Sequence, residues 1–304
     1  MSLSEALRDE LAAIAPAREC DRLAELSALF HTAGSVHFRG RGEVSVHLDL
    51  ATNGIARRAF ALLRSFGVES EIRTYRQHAF ERATRYQLHV PGESHALQVL
   101  YEAGVLSARL GPLDRPPKRI VGRACCRGAY LRGALLGGGS LSGPRSPHLE
   151  VRSAEREGAE FLASVAALEG ARLAVLARRT HAVAYAKGSD AIETVLAAAG
   201  AADTVLALEE ESVVAATRAS ANRLANADHA NLVRTTRAAH AQVQAIKRLQ
   251  ADGSLAGLPD PLQEIARLRL TNPTASLREL AAKARTTKSA AQRRLRKLVE
   301  LSQS

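Results

Sequence analysis

Tryptophan is absent from this sequence, and aromatic residues of all kinds make up only 4% of its 304 positions. That shortage argues against recognition of unpaired bases, which depends on exposed rings for stacking. Cysteine is scarce too, occurring only as Cys20, Cys125 and Cys126. An adjacent pair plus one distant thiol lacks the spacing of a tetrahedral metal set, so reduced thiols are expected, with neither metal nor other cofactor. No apolar run reaches the roughly 18 residues needed to cross a membrane. The opening MSLSEALRDELAAIAPARE has acids where a secretion signal needs bases, which implies a cytoplasmic protein without a membrane partner. Acids are also outnumbered: 31 Asp and Glu face 42 Lys and Arg, for a formal charge of +11 and a pI near 10.2. Such a surface attracts polyanions, and with few aromatics duplex DNA fits better than single strands.

What is present is a repeat. Placing Gly139-Ser140-Leu141 on Gly34-Ser35-Val36 aligns Ala28–Ala33 with Gly133–Gly138, two helical segments that end in the same Gly-Ser. After each comes a strand-like alternation (Val44–Leu50; His148–Val151), then an amphipathic helix (Gly54–Phe66; Glu157–Leu168) and a glycine. Further strands are predicted at Val68–Tyr75 and Tyr86–Val90 in the first copy, and at Ala171–Arg178 and Val183–Lys187 in the second, each copy closing on a short helix. The expected fold is α+β with two αββαββα halves, about 20–110 and 120–207, behind a helical extension over 1–19. Gly111–Arg119, rich in proline, is the linker between the halves. Glu209–Leu249 has neither Pro nor Gly and predicts one or two long helices, with a possible break near Asn226–Asp228, inside an arm over 208–256.

Residues 257–304 predict an all-α helix-turn-helix. Asp260–Leu270 carries apolar residues at helical spacing and stops at Asn272-Pro273. Ser276-Leu-Arg-Glu279 is a capping box, in which hydroxyl and carboxylate each satisfy a free first-turn amide. Thr287 caps a third helix whose Ala291, Leu295 and Leu298 share one side, leaving a cationic side opposite. The DNA-binding residues expected are Lys288, Ser289, Gln292, Arg293 and Arg296 nearest the bases, with Arg294 and Lys297 toward phosphate and Thr287 at the helix start. The turn before this helix has Arg285-Thr286 where a glycine is usual. A solvated basic helix is the competing reading of the same charges.

Small residues line one side of the repeated helix, at Ala28 and Ala33 in one copy and Gly133 and Gly138 in the other, so the two helices can approach closely. This pattern resembles the LAGLIDADG homing-endonuclease fold, with Leu26–Ser35 and Leu131–Ser140 over its motif. In that motif an Asp precedes the last Gly; here the position is Ala33 or Gly138. Without hard oxygen ligands there, no catalytic residues and no phosphodiester cleavage are expected. Gly133–Ser140 misses a phosphate-binding loop by its lysine and stands in a helical context, so that likeness is set aside. Taken with Asn222–Asn231, Leu232–Gln242, Ala275–Leu280 and Thr287–Lys297, the chain resembles the WhiA family. The resemblance implies a degenerate nuclease scaffold joined to a promoter-binding helix-turn-helix. It further implies transcription control in sporulation, cell division and chromosome segregation on the nucleoid, with RNA polymerase and a WhiB-type iron–sulfur regulator as partners. A metal-dependent endonuclease with carboxylates from elsewhere, or a protein-binding scaffold anchored to DNA, are the alternatives.

Three further groups stand out. His37 and His47 face each other if a hairpin turns at Arg39–Gly42, as a satisfied or solvated pair. Arg73, Arg76, Arg82 and Arg85 line either a DNA groove or an ordinary basic sheet. The Asn222–Asn231 side chains either cap a helix break, the preferred reading, or dock the arm against another domain.

Overall fold

The computed structural model describes residues 2–38, 44–76, 84–143 and 146–303, and the chain divides into two units, 1–215 and 216–304. In the first unit, α1 (Leu3–Ala13) opens with a capping box between Ser2 and Glu5. The first copy of the repeat then runs α2 (Glu19–Ala33), β1 (Gly34–Phe38), β2 (Val44–Leu50), α3 (Asn53–Ser65), β3 (Glu71–Arg76), β4 (Thr84–Pro91) and α4 (Ser94–Glu102). The second runs α5 (Ala124–Gly138), β5 (Gly139–Ser142), β6 (His148–Ser153), α6 (Arg156–Leu168), β7 (Ala174–Ala177), β8 (Ala182–Lys187) and α7 (Ser189–Ala199). Each copy forms a four-stranded antiparallel sheet, ordered β1-β2-β4-β3 and β5-β6-β8-β7. The duplicated αββαββα reading is therefore the observed architecture.

β3 and β7 start three residues later than their sequence patterns suggest. Val68 and Ala171 are used to close the preceding helices, donating to the carbonyls of Leu63 and Ala166 at 3.0 and 2.9 Å. The glycines before them, Gly67 and Gly170, take the left-handed φ that this closure requires, at 71° and 91°.

The helices α2 and α5 pack along each other, and the glycine run of α5 is what lets them. A Cβ built on Gly133 meets the Glu25 carbonyl oxygen and lies 3.0 Å from the Ala28 Cβ, so no side chain fits. At Gly34 and Gly139 the expected turn into a strand occurs with extended backbone, φ −89° and −77°, rather than a left-handed one. Here a side chain is excluded by the carbonyls of Phe30 and Leu135 in the last helical turn.

Charge is buried beside that seam. Glu25, wholly inaccessible, accepts from Arg58 Nε at 2.7 Å and Arg132 Nε at 2.8 Å, and Arg132 also donates to the Ala199 carbonyl at 3.1 Å. The expected N-terminal extension docks as α1 on edge strand β5: Ser4 Oγ donates to the Leu141 carbonyl at 2.8 Å, and Arg8 to the Gly139 carbonyl at 2.9 Å. Glu10 of α1 accepts from the Asp203 and Thr204 amides at 2.8 and 2.9 Å, capping the start of α8 (Ala202–Ala251).

α8 is continuous through Asn222–Asn231, against the allowance for a break near Asn226–Asp228. No interruption is left there for the asparagines to cap; Asn231 instead accepts from Arg234 one turn on, at 2.6 Å. In the second unit, α9 (Asp260–Thr271), α10 (Leu277–Lys283) and α11 (Lys288–Leu301) enclose a core of Ile265, Ala266, Leu280, Ala281, Ala291, Leu295 and Leu298, closed by Ile246 and Leu249 of α8. Among the described residues, no helix is long and apolar enough to cross a membrane.

Candidate nucleic-acid interface

The orientation of α11 follows from its apolar stripe. Ala291, Leu295 and Leu298 are fully inaccessible, which turns the other side of the helix to solvent. Thr287, Lys288, Ser289, Gln292, Arg293, Arg296 and Lys297 are exposed, and Arg294 is half-buried at the edge of the stripe. Thr287 Oγ1 accepts from the Ala290 amide at 3.2 Å and starts the helix. The exposed cations have one acidic neighbour in the helix, Glu300, at 3.6 Å from Arg296 and 3.9 Å from Lys297.

The expected capping box holds α10 in place: Ser276 Oγ accepts from the Glu279 amide at 3.3 Å, and the Glu279 carboxylate accepts from the Ser276 amide at 2.7 Å. These bonds draw the Glu279 carboxyl below its ordinary pKa, with the Ser276 amide the largest cause. The α10–α11 turn lacks glycine, yet Arg285 adopts φ +47°, and Thr286 donates to the Ala281 carbonyl at 2.9 Å. Arginine thus takes a glycine's conformation at a cost in strain. Arg269, only 2% exposed, ties down the α9–α10 turn by donating to the Ala275 carbonyl at 2.7 Å and, more weakly, to that of Pro273 at 3.4 Å. Burial lowers its pKa.

The sheet of the first copy offers a different chemistry. His37 and His47 do stack, with ring centroids 4.3 Å apart, and His89 of β4 joins them through a 2.8 Å contact between its Nδ1 and His47 Nε2. The register places His89 opposite His47, a relationship that only strand pairing reveals. Burial, then the neighbouring His37 and His89, lowers the His47 pKa. Of the four arginines considered for a groove, Arg73 and Arg85 share this outer face, Arg76 has the opposite strand parity, and Arg82 lies outside the described residues, as does the Arg39–Gly42 turn. Arg73 is also engaged by Glu71 at 2.6 Å, and Arg178, just past the end of β7, by Glu150 at 3.4 Å.

At the ends of α2 and α5, where a nuclease of this fold carries its carboxylates, Ala33 and Gly138 offer none. A Cβ on Gly138 comes within 2.6 Å of the Arg152 carbonyl oxygen, so the backbone itself leaves no room for an acid. Nearby, Asp114 and Glu155 border a cavity of about 210 Å³ with His31, Gly34 and Ser35, but both come from loops rather than from the helix ends. His31 faces Ser27, its Nδ1 2.8 Å from that carbonyl, and burial lowers its pKa. The helix ends themselves thus supply no carboxylate to a divalent ion.

The spacing of the cysteines along the chain is not their spacing in the fold. Cys20, distant in sequence, sits with Cys125, Cys126 and Asp21, their ligand atoms all within 4.8 Å of one another. Packing of α2 against α5 causes this, because Cys20 and Cys125 occupy the same place in the two repeats. Burial pushes the Cys126 thiol up to about 12, helped by hydrogen bonds with Cys20 and Cys125.

Three family models match the chain: the WhiA N-terminal LAGLIDADG-like domain over residues 19–106, the WhiA LAGLIDADG-like domain over 127–218, and the WhiA C-terminal HTH domain over 221–302. A probable cell division protein WhiA of Heliobacterium modesticaldum is 36% identical, over 92% of this chain and 88% of that protein. The one of Symbiobacterium thermophilum is 34% identical over 100% and 98%. The crystal structure of full-length WhiA from Thermatoga maritima superposes with a TM-score of 0.59 at 21% identity, over 100% of this chain and 98% of that one, which is a likeness of fold.

Proposed function

The chain belongs to the WhiA family, and from that premise we propose that it is a sequence-specific duplex-DNA-binding transcription regulator that does not cut DNA. The observation that carries the reading is the exposed cationic side of α11, set opposite the buried Ala291, Leu295 and Leu298. A helix of this kind enters the major groove, where Arg pairs bidentately with guanine and Gln with adenine. Lys288, Ser289, Gln292, Arg293 and Arg296 are the base-reading residues, Arg294 and Lys297 hold phosphates, and Thr287 fixes where the helix begins. Neutralising phosphates releases counterions, so affinity falls steeply as salt rises.

In this reading residues 257–304 are the DNA module, 208–256 its arm, and 20–207 a scaffold that has lost the nuclease centre. The family resemblance extends the proposal to promoters governing cell division, sporulation and chromosome segregation, to a cytoplasmic, nucleoid-bound location, and to RNA polymerase and a WhiB-type iron–sulfur regulator as partners. Two experiments test it. Incubation of the purified chain with supercoiled plasmid and Mg²⁺ or Mn²⁺ leaves the plasmid intact; reproducible nicking that is lost in an Asp114→Ala, Glu155→Ala variant supports the nuclease alternative. Deleting residues 258–304 abolishes promoter binding; retention of specific binding contradicts the assignment.

A further inference from the structure

The three cysteines of the sequence meet at one point. The offset that sets Gly34 on Gly139 also sets Cys20 on Cys125 and Asp21 on Cys126. α2 begins at Glu19 and α5 at Ala124, so these four are the second and third residues of two equivalent helices. Side-by-side packing of the helices brings the two pairs together.

The geometry suits a tetrahedral ion. Thiolates bound at about 2.3 Å to a tetrahedral zinc are separated by about 3.8 Å; Cys125 Sγ and Cys126 Sγ are 3.9 Å apart. Cys20 Sγ lies 3.5 Å from Asp21 Oδ1, and no pair in the set exceeds 4.8 Å, so a contraction of about an ångström closes it. A disulfide within the adjacent pair is disfavoured, because neighbouring Cα atoms are about 3.8 Å apart and disulfides span roughly 4.4–6.8 Å.

Neither helix has a side-chain cap: the capping positions are Arg18 and Arg123, and neither side chain accepts an amide bond. The first-turn amides of both helices are therefore without a side-chain acceptor from the capping positions. Cys126 is buried while Cys20, Asp21 and Cys125 are half-buried, which leaves an ion a way in.

We propose that Cys20, Asp21, Cys125 and Cys126 form a binding site for one thiophilic divalent cation, zinc above all, which fastens the starts of the twin helices to each other. Thiolates discriminate against Mg²⁺ and Ca²⁺. The site lies about 20 Å along α2 from Ala33, at 1.5 Å per residue, so it is no remnant of a nuclease centre. It is independent of the DNA-binding proposal.

The test is a Co²⁺ titration of the reduced, metal-stripped, full-length chain. A single equivalent gives the thiolate-to-cobalt charge-transfer and tetrahedral d–d absorptions, and Zn²⁺ bleaches them. Zn²⁺ also slows alkylation of the thiols. Cys20→Ser weakens binding by about tenfold or more, and Cys20→Ser with Cys125→Ser abolishes it, while circular dichroism confirms that the fold persists. Absence of the absorptions in the unmodified chain overturns the proposal without reference to any variant. So does alkylation that Zn²⁺ leaves unchanged, or undiminished affinity in the double variant.

Discussion

Glu25 of α2 accepts a hydrogen bond from Arg132 of α5 at 2.8 Å, across the seam between the duplicated helices and out of reach of water. With Arg58 bound to the same carboxylate, one acid neutralises two buried cations unequally, leaving the cluster a net positive charge. Removing the acid strands both guanidinium groups. Glu25→Gln is expected to destabilise the first unit by about 3–5 kcal/mol, the range for breaking a buried pair. Urea unfolding followed by circular dichroism measures it, and a loss under about 1 kcal/mol contradicts this account of the seam.

Arg285 sits at φ +47°, a conformation that costs a residue with a Cβ roughly 1–2 kcal/mol. Glycine relieves this strain but gives the unfolded chain more freedom, an opposing effect of about 0.5–1 kcal/mol. Arg285→Gly is thus expected to stabilise the C-terminal helices slightly, and Arg285→Val to destabilise them. Thermal melts of the two variants against the parent decide it; the reverse order contradicts the strain argument.

Glu300 lies near Arg296 and Lys297 at the far end of α11, and all three are exposed. Pairs of this kind are worth about 0.2–1 kcal/mol in water. Glu300→Gln frees both cations and is expected to tighten DNA binding by up to about fivefold, read by fluorescence anisotropy at fixed salt. Weaker binding in this variant counts against α11 as the DNA-facing helix.

His31 has its pKa lowered by burial, so the folded chain binds fewer protons there than the unfolded chain does. Its contribution is intact above the unfolded value of about 6.5 and is lost as pH falls below it. Melting temperature is therefore expected to drop between pH 7.5 and 5.5, and to drop less in His31→Gln. An equal drop in both proteins shows that His31 is not the responsible group.

Much of the fold could be read along the chain because the signals are local. The capping box at Ser276 and Glu279, the Thr287 cap and the stripe of Ala291, Leu295 and Leu298 each depend on residues within a turn or two. The duplicated order of helices and strands was legible for the same reason. Less accessible were relationships created by closure of the fold. His89 meets His47 through pairing of β4 with β2, Glu25 meets Arg132 across 107 residues, and Cys20 meets Cys125 because two copies of one helix lie side by side. The continuity of α8 through its asparagines was a closer matter: alanine-rich surroundings sustain the helix at a place where polar side chains compete for backbone bonds.

The central claim concerns the exposed arginines of α11. Its most direct test is a footprint of the full-length chain on a duplex site selected from random sequence, beside the Arg293→Ala, Arg296→Ala double variant. Loss of the two base contacts, each worth about 1–3 kcal/mol, is expected to erase specific protection while leaving weak, salt-sensitive binding to any duplex. A footprint unchanged in the double variant would show that DNA is read elsewhere.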